Sequence, residues 1–359
     1  MAKYDKMKEI KDFDNSKIGV KGLSDSGTTT IPKFFIHPPE TLSDLKPSAK
    51  TVAIPVIDLS NEGTNRTEIV KQVREAAGDW GFFQVVNHGV PVSILEETIA
   101  AVKAFHELPA EIKGQYYKRE ERKGVMYSSN NDLYRSKAAT WHDYLQVWMS
   151  PDPVVVEDIP TICRRELVDW DTHAKRVIEN VMELLSEGLG LVPNRFKELT
   201  LVDERIVVGI IYPHCPQPDL TVGLIPHTDP GIITLLLANQ IGGLQVKHGD
   251  DGWVDVKPLP GGLIINIGDF LQIVSNGEYK SVQHRVLANT SKEPRISVVE
   301  FFNLTKWRDS DKYGPLSEIL TDEKPAIYRD FTQEEFMQNF YSKGLDSKSL
   351  VDKIKIHNI

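Results

Sequence analysis

Cysteine is scarce in this chain of 359 residues, which contains only Cys163 and Cys215. Two widely separated cysteines exclude a Cys-x-x-Cys site and do not make a disulfide framework. The scarcity favours a reducing compartment, and we expect the cytoplasm. The first residues, MAKYDKMKEIKDFDNSK, are polar and contain no apolar core segment, so we do not expect them to act as a secretory signal.

The chain also has neither an excess of positive charge nor a long apolar run. Its formal net charge is -9. A nucleic-acid-binding domain usually presents a basic face, so no nucleic-acid partner is expected. No run of about 18 apolar residues occurs, which excludes a transmembrane helix and predicts no membrane partner. The remaining composition is that of a globular protein, for which we expect one large domain with extensions and a monomeric state.

Composition and hydrophobic periodicity divide the chain into four parts. Residues 1–50 are rich in polar residues, Gly and Pro, and we expect an N-terminal arm, extended except for one short helix. Residues 51–200 mix strand-like runs with helical periodicity and predict an N-terminal helical/β region. Residues 201–308 consist of short apolar runs separated by turn residues, the pattern of an all-β barrel or jelly roll. Residues 309–359 return to helix-like sequence and predict a C-terminal helical tail.

The stretch GLIPHTDPGIITLLL (223–237) places His227 and Asp229 inside an apolar run. Each residue would destabilise the fold by several kcal/mol if it were buried without a partner. Strand side chains alternate between two faces, so His227 and Asp229 are expected on the same face. His284 lies in a further apolar run, YKSVQHRVLAN (279–289). Two histidines and one carboxylate form the facial triad of non-haem Fe(II) oxygenases, although zinc accepts the same ligands.

Arg295 and Ser297 follow His284 and indicate which kind of co-substrate binds beside the metal. Strand alternation places both on one face, and a guanidinium fork on an inward face matches a carboxylate. Tyr212 can supply a third donor. A metal site beside a carboxylate clamp predicts a small diacid, 2-oxoglutarate, and not a hydrolytic zinc site. Any one of these residues alone would be read as a satisfied core group, but together they favour a metal centre.

These motifs resemble those of plant 2-oxoglutarate/Fe(II)-dependent dioxygenases, the group that includes flavonoid, gibberellin and alkaloid oxygenases. The similarity spans nearly the whole chain. Within the group, the segment GVKGLSDSGTTTIPKFFI (19–36) is most similar to the 1-aminocyclopropane-1-carboxylate oxidase homologues, which include deacetoxyvindoline 4-hydroxylase-like enzymes. The matching segments are IPVIDLS (54–60), WGFFQVVNHGV (80–90), YPHCPQPDLTVGLIPHTDPGIITLLL (212–237), GGLQV (242–246), WVDVKPLPGGLIINIGD (253–269), SNGEYKSVQHRVLAN (275–289) and PRISVVEFF (294–302).

The resemblance implies a mainly β fold with α-helices, in which a double-stranded β-helix (jelly roll) core is flanked by N-terminal and C-terminal helices. It implies that a plant specialised metabolite is hydroxylated or otherwise oxidised with release of succinate and CO2. Fe(II) is the implied cofactor, 2-oxoglutarate and O2 are co-substrates, and ascorbate is a supporting reductant. By position, the implied catalytic iron ligands are His227, Asp229 and His284, and the implied 2-oxoglutarate-binding residues are Tyr212, Arg295 and Ser297.

The substrate is expected to be a small apolar or aromatic molecule. The segment 126–148 interleaves aromatic and hydrogen-bonding residues, which suits a flat ligand, and Tyr127, Asn130 and Tyr134 are its candidate contacts. Continuing the alternation of Arg295 and Ser297 adds two further candidates, Phe301 and Asn303. By resemblance these two correspond to positions at the substrate mouth, and the alternative is that Phe301 is a simple core residue.

Other outcomes on the same centre stay open. O-demethylation, desaturation and ring closure depend on the substrate pose and cannot be separated by sequence. An ascorbate-dependent aminocyclopropane carboxylate oxidase is disfavoured by the arm and the apolar mouth. The complete set of site residues disfavours a non-enzymatic jelly-roll binding protein. One position departs from the pattern: many relatives carry Asn or another polar residue two positions before the matching tyrosine, where this chain has Ile210, so weaker co-substrate binding or a substituted donor is expected.

Overall fold

The computed structural model describes residues 4–43, 45, 52–60, 62–119, 124–130, 133–304, 312–332, 334–336, 338 and 348–356. The α-helices with defined bounds are α1 (Lys6–Ser16), α2 (Gly19–Asp25), α3 (Pro39–Leu42), α4 (Glu62–Asp79), α5 (Val92–Glu107), α6 (Ala110–Lys113), α7 (Arg164–Gly188), α8 (Arg195–Glu198), α9 (Asp269–Val274) and α10 (Lys348–Ile354). The strands are β1 (Val56–Asp58), β2 (Phe82–Val86), β3 (Val125–Ser129), β4 (Asp143–Ser150), β5 (Glu204–Tyr212), β6 (Val222–His227), β7 (Ile233–Ala238), β8 (Leu244–His248), β9 (Gly252–Asp255), β10 (Leu263–Ile267), β11 (His284–Leu287), β12 (Arg295–Asn303), β13 (Lys312–Tyr313) and β14 (Phe331–Thr332).

Two antiparallel sheets form the centre of the molecule. The larger has the strand order β1-β2-β10-β7-β12-β5-β4-β3, and the smaller has the order β6-β11-β8-β9. Within them only the pairing of the edge strand β1 with β2 is parallel. The order does not follow the sequence, because successive strands cross between the two sheets, as in a jelly roll. The predicted double-stranded β-helix core with flanking helices is therefore confirmed.

The interior between the sheets is lined by apolar side chains from both of them. Ile210 and Val299 of the large sheet and Leu244 and Val286 of the small sheet belong to one buried cluster. Such a contact requires the two sheets to face each other, since strand side chains alternate between faces. This interior is the place where the predicted site residues lie.

Helices cover the other face of the large sheet. The predicted stripe of α7, which includes Val177, Val181 and Leu184, is buried in a second core together with Val298 and Phe302 of β12. In β12, residues 298 and 302 thus face the helices, whereas residues 295, 297, 299, 301 and 303 face the interior. The strand alternation predicted for this segment is confirmed.

The N-terminal arm is helical, so the prediction of an extended arm with one short helix is wrong. Helices α1, α2 and α3 all lie within it. Ile10 and Phe13, three positions apart on α1, are buried with Phe34, Phe35 and Trp141 in a separate cluster. Aromatic contacts with Trp141, which lies just before β4, hold the arm against the barrel. The polar composition of the arm gave no sign of this packing.

Two further segments differ from expectation. Strands β3 and β4 extend the large sheet through residues that the sequence suggested only as a ligand-binding segment. The C-terminal tail contains the predicted helix, α10, but also the short antiparallel pair β13–β14. Across the described ranges, no helix combines the length and apolar character needed to cross a bilayer.

Candidate active site

His227, Asp229 and His284 lie together in the barrel interior. His227 ends β6 and His284 begins β11, and the two residues are direct partners in the antiparallel pairing. Asp229 lies two residues beyond β6, and its Oδ1 is 3.6 Å from His227 Nε2 and 3.7 Å from His284 Nε2. All three residues are buried, and one ligand atom from each lies within 4.8 Å of the others. Within the described part of the chain, this is the one such group of possible metal ligands.

Backbone carbonyl groups orient both imidazole rings. His227 Nδ1 lies 2.9 Å from the carbonyl oxygen of Ile225, and His284 Nδ1 lies 3.5 Å from that of Val282. A carbonyl oxygen can only accept, so these contacts favour the proton on Nδ1 and leave the Nε2 lone pair free. Burial and the neighbouring His227 lower the pKa of His284, which keeps its ring neutral at pH 7. Both rings are therefore prepared to bind a cation through Nε2.

Two side chains hold the carboxylate of Asp229. Thr234 Oγ1 donates to Asp229 Oδ2 at 2.6 Å, and Asn266 Nδ2 donates to the same oxygen at 2.7 Å. Burial alone would raise the pKa of Asp229, but the two imidazoles and these hydrogen bonds lower it overall. Sequence reasoning missed both donors. The available signal was Asn266 itself, a polar residue inside the apolar strand LIINI.

Arg295 forms a buried clamp with Tyr212 and Ser297. Arg295 is 1% exposed, its Nη1 donates to Ser297 Oγ at 3.1 Å, and its guanidinium carbon lies 4.9 Å from the centre of the Tyr212 ring. Nε and Nη2 of Arg295 have no hydrogen-bond partner among the described residues. Desolvation lowers the pKa of this guanidinium, because a buried cation without a counter-ion is unfavourable. Two unsatisfied N–H donors on a buried cation fit the fork geometry of a carboxylate.

Gly223 brings the metal-binding strand against the clamp. A Cβ atom at this position of β6 would lie 2.9 Å from Cδ1 of Tyr212 and 2.8 Å from the carbonyl oxygen of Leu287. The absent side chain therefore allows β6, which ends in His227, to pass directly over Tyr212. The metal ligands and the clamp thus lie in the interior between the same two sheets.

Comparison with known proteins places this chain in a family. Residues 198–304 match the 2OG-Fe(II) oxygenase superfamily, and residues 54–161 match the non-haem dioxygenase in morphine synthesis N-terminal family. The Arabidopsis thaliana 1-aminocyclopropane-1-carboxylate oxidase homolog 6 is 44% identical over 356 residues, which is 98% of this chain and 99% of the relative. A Solanum lycopersicum 1-aminocyclopropane-1-carboxylate oxidase homolog is 43% identical, with 98% of each chain covered.

The chain belongs to the 2-oxoglutarate/Fe(II)-dependent oxygenases. Its fold is similar to that of JOX2 in complex with 2OG, Fe and JA, with a TM-score of 0.80, 30% identity and coverage of 94% of this chain and 98% of JOX2. It is also similar to the rice dioxygenase for auxin oxidation, with a TM-score of 0.70, 25% identity and coverage of 84% and 100%. The chain is thus a 2-oxoglutarate/Fe(II)-dependent dioxygenase, and the predicted family, fold and enzyme class are confirmed.

Ile210 lies on the interior face of β5, next to the clamp. It is paired with Ser297 of β12 on one side and with Tyr144 of β4 on the other. Its cluster neighbours include Val208 and Val299, so the surroundings are apolar. The departure noted in the sequence therefore lies on the interior face of β5, directly beside Ser297 of the clamp.

Two of the predicted substrate contacts lie elsewhere. Tyr127 is fully buried on the helix-covered face of β3, in the core with Phe105, so strand parity directs it away from the cavity. Tyr134 is 42% exposed, and its hydroxyl donates to Asp14 of the arm at 2.7 Å. Tyr127 thus packs in the core, and Tyr134 fastens the arm, which leaves both as predicted substrate contacts without support from their positions.

Asn130 lies in a buried hydrogen-bond network next to the clamp. It has a φ of +59°, and its Oδ1 accepts a hydrogen bond of 2.6 Å from Thr140 Oγ1. Thr140 in turn contacts His142, whose ring centre lies 5.6 Å from that of Tyr212. Phe301 pairs with Ile206, six residues before Tyr212 on β5, which corresponds to about 20 Å along the strand. Asn130 is therefore linked through Thr140 and His142 to the clamp, and its contact with a substrate stays a prediction.

Phe301 and Asn303 do lie on the cavity face of β12. Phe301 is partly buried and pairs with Thr234, the residue that donates to Asp229. Asn303 Nδ2 donates to Glu204 Oε1 at 3.1 Å. On β4, strand parity also directs Tyr144 and Gln146 to this face. The sequence analysis did not choose those two residues, because the register of β4 against β5 was not known.

Proposed function

We propose that this enzyme hydroxylates a small apolar or aromatic metabolite of plant specialised metabolism, with conversion of 2-oxoglutarate to succinate and CO2. The observation that carries the proposal is the unsatisfied guanidinium of buried Arg295, which lies between the same two sheets as the His-Asp-His group. A hydrolytic metal site has no use for such a clamp. A diacid that chelates the metal at one end and meets the arginine at the other satisfies both groups.

The proposed roles follow from the donor sets. Fe(II) would be held by His227 Nε2, Asp229 Oδ1 and His284 Nε2, a set that suits Fe(II) and leaves coordination positions open. The distal carboxylate of 2-oxoglutarate would be held by Arg295 with the hydroxyls of Ser297 and Tyr212. When bound, iron with 2-oxoglutarate and dioxygen supplies the oxidation of an unactivated C–H bond.

The remaining cavity residues act by exclusion and orientation. Val208, Ile210 and Val299 line the wall beside the clamp with apolar surface, which keeps water from the reacting atoms. Phe301 is the direct strand partner of Thr234, the residue whose hydroxyl donates to Asp229. We propose that Phe301 and Asn303 contact the substrate and select the C–H bond that is presented.

We further propose that ascorbate supports turnover and that the enzyme acts as a monomer in the cytoplasm. Both cysteines are buried and unpaired, which fits a reducing compartment. Ascorbate would keep the iron in its ferrous state between cycles. Light scattering of the purified chain would test the monomer, and omission of ascorbate should lower the number of turnovers without changing the initial rate.

The substrate class is tested by incubating the enzyme with Fe(II), ascorbate, 2-oxoglutarate and a panel of alkaloids, phenylpropanoids, terpenoids and benzoxazinoids. Mass spectrometry distinguishes gain of one oxygen atom from loss of two hydrogens or of a methylene unit. We expect gain of oxygen in at least one compound, with succinate formed in equal amount. Ethylene release from aminocyclopropane carboxylate without 2-oxoglutarate would contradict the proposal.

A matched pair of histidine variants controls this experiment. His227→Ala removes a proposed iron ligand and should abolish substrate-dependent succinate formation. His173→Ala changes a histidine on α7, outside the barrel interior, and should leave the rate unchanged. Equal rates in both variants would contradict the proposed metal site.

A further inference from the structure

The Asp229 carboxylate is held asymmetrically. Its Oδ2 accepts two hydrogen bonds, from Thr234 Oγ1 at 2.6 Å and Asn266 Nδ2 at 2.7 Å. Its Oδ1 faces the two histidine nitrogens at 3.6 and 3.7 Å. The two oxygens of this carboxylate thus have different surroundings. Oδ2 accepts from the two side-chain donors, whereas Oδ1 faces the two histidines.

The register of the large sheet builds this asymmetry. Thr234 of β7 and Asn266 of β10 are direct partners across the two strands, so both donors reach Asp229 from one side. The backbone fixes the residue as well, because the N–H of Asp269 donates to the carbonyl oxygen of Asp229 at 2.7 Å. Thr234, Asn266 and Asp229 are all buried, and water therefore does not compete for these bonds.

We propose that Thr234 and Asn266 are positioning residues that restrict Asp229 to one-oxygen coordination of the metal. The inference rests on the proposed function, in which His227, Asp229 and His284 bind Fe(II). With Oδ2 occupied by two donors, only Oδ1 is available to the ion. A carboxylate that bound through both oxygens would take one of the open positions that 2-oxoglutarate and dioxygen need. The two donors therefore keep those positions free as well as strengthening metal binding.

Thr234 offers the sharper test, because its hydroxyl can be removed with little change of shape. Thr234→Val deletes the donor, and Thr234→Ser restores it. Groups that hydrogen-bond a metal ligand typically contribute about tenfold to a hundredfold in metal affinity. We expect Thr234→Val to weaken Mn(II) binding to the protein by about tenfold, and Thr234→Ser to restore most of it. Asn266→Leu should have a similar effect.

Thr221 provides the matched control. Its side chain is also buried in a strand-flanking position, and its Oγ1 has no hydrogen-bond partner among the described residues. Thr221→Val therefore makes the same chemical change without touching Asp229, and should leave Mn(II) affinity unchanged. The folding of each variant without metal is monitored by thermal unfolding, which separates a local metal effect from general destabilisation.

The experiment measures the dissociation constant of Mn(II) by the electron paramagnetic resonance signal of the free ion, and then that of 2-oxoglutarate for the Mn(II)-loaded protein. We expect both constants to rise in Thr234→Val and Asn266→Leu and to stay constant in Thr221→Val. Wild-type affinity in both Thr234→Val and Asn266→Leu would overturn the inference. If Asn266→Leu does not fold, the comparison of Val, Ser and wild type at position 234 decides alone. Failure of the wild-type protein itself to bind Mn(II), or binding unaffected by His227→Ala, would instead contradict the proposed function.

Discussion

At the scale of single residues, Arg295 carries the choice between a diacid co-substrate and a simple metal site. Its buried fork has two donors without partners in the described chain, and a lysine would present a point charge instead. Arg295→Lys should raise the KM for 2-oxoglutarate by about tenfold to a hundredfold, since hydrogen bonds to charged groups contribute about 1.5–3 kcal/mol. Initial rates at varied 2-oxoglutarate measure this change. Mn(II) affinity should stay constant, and an unchanged KM would remove Arg295 from the co-substrate site.

Ile210 gives a prediction in the opposite direction. It lies beside Ser297 on the interior face of β5, where the family resemblance led us to expect a polar residue. Ile210→Asn should lower the KM for 2-oxoglutarate by about threefold to tenfold, the equivalent of one net hydrogen bond of about 0.5–1.5 kcal/mol. The same change should lower the free energy of unfolding of the unliganded protein, because an amide enters an apolar cluster. A higher KM would show that this wall does not meet the co-substrate.

Phe301 and Tyr127 form a test of which sheet face binds substrate. Phe301 lies on the cavity face of β12, and Tyr127 lies on the helix-covered face of β3. Phe301→Ala should raise the KM of an identified substrate about tenfold, because it removes part of a contact worth about 1.5–3 kcal/mol. Tyr127→Phe should leave that KM unchanged. Steady-state kinetics of both variants measure these KM values. A raised KM in Tyr127→Phe with an unchanged KM in Phe301→Ala would place the substrate on the helix-covered face of the sheet.

Residue-level prediction from sequence succeeded where period-two alternation could be applied. Arg295, Ser297 and Phe301 share a face as predicted, because β12 is regular over its length. It did not give the direction of Tyr127 or of Asn130. Their directions depend on where β3 starts and ends, and neither bound could be read from the segment 126–148. Thr234 and Asn266 were missed because their common partner, Asp229, is close only after β7 and β10 pair.

At the scale of elements, the arm is fastened to the barrel by two carboxylates, of which Asp143 is buried and Asp14 is partly buried. Asp143 of β4 accepts hydrogen bonds from the backbone N–H groups of Val20 and Lys21 at 2.7 and 2.8 Å. Gly19, with a φ of +70°, allows this approach, because a side chain there would overlap the Asp143 carboxylate. Asp14 of α1 accepts hydrogen bonds from Arg119, Tyr117 and Tyr134.

The Asp14 contacts predict acid-dependent loosening of the arm. Burial alone would raise the pKa of Asp14, but the hydrogen bonds of Tyr117, Tyr134 and Arg119 outweigh it and lower the pKa. A folded-state pKa below the unfolded value means that this stabilisation is complete above the unfolded value and is lost as the pH falls through the folded one. The hydrogen-exchange protection factors of residues 6–16, which are corrected for the intrinsic exchange rate, should therefore be high at neutral pH and fall below about pH 4.

Asp14→Asn is the control for that experiment. It removes the charge at every pH, so exchange in α1 should already be faster at neutral pH and should depend less on acid. Leaving part of the donor set without a charged acceptor should destabilise arm docking by about 1–3 kcal/mol. Identical exchange in the variant and the wild type would show that Asp14 does not fasten the arm.

Sequence reasoning gave most of the central elements but misjudged the arm and the edge of the large sheet. The long helix α7 and the strands β5, β7 and β12 have strong periodicity and were predicted. The arm is polar in composition, and its helices are stabilised by a few aromatic contacts with Trp141 that are distant in sequence. Strands β3 and β4 depend on pairing with β5, which no local pattern reveals.

At the scale of the whole molecule, two facing sheets bring together groups that are far apart in the chain. His227 and Asp229 come from one sheet edge, His284 from the neighbouring strand, and Arg295 from the large sheet. The helices on the outer face support the large sheet, and the arm covers the end near Trp141. The fold thereby brings a metal-binding group and a carboxylate clamp into the interior between the sheets.

The most direct test of this account is an anaerobic titration of the metal-free protein with Fe(II) and then 2-oxoglutarate, followed by visible absorption. Chelation of Fe(II) by the 2-oxo acid should produce a weak charge-transfer band in the wild-type protein. The band should be absent in Asp229→Ala and should need a much higher 2-oxoglutarate concentration in Arg295→Ala. Absence of the band in the wild-type protein, or its wild-type strength in Asp229→Ala, would contradict the assignment of the site.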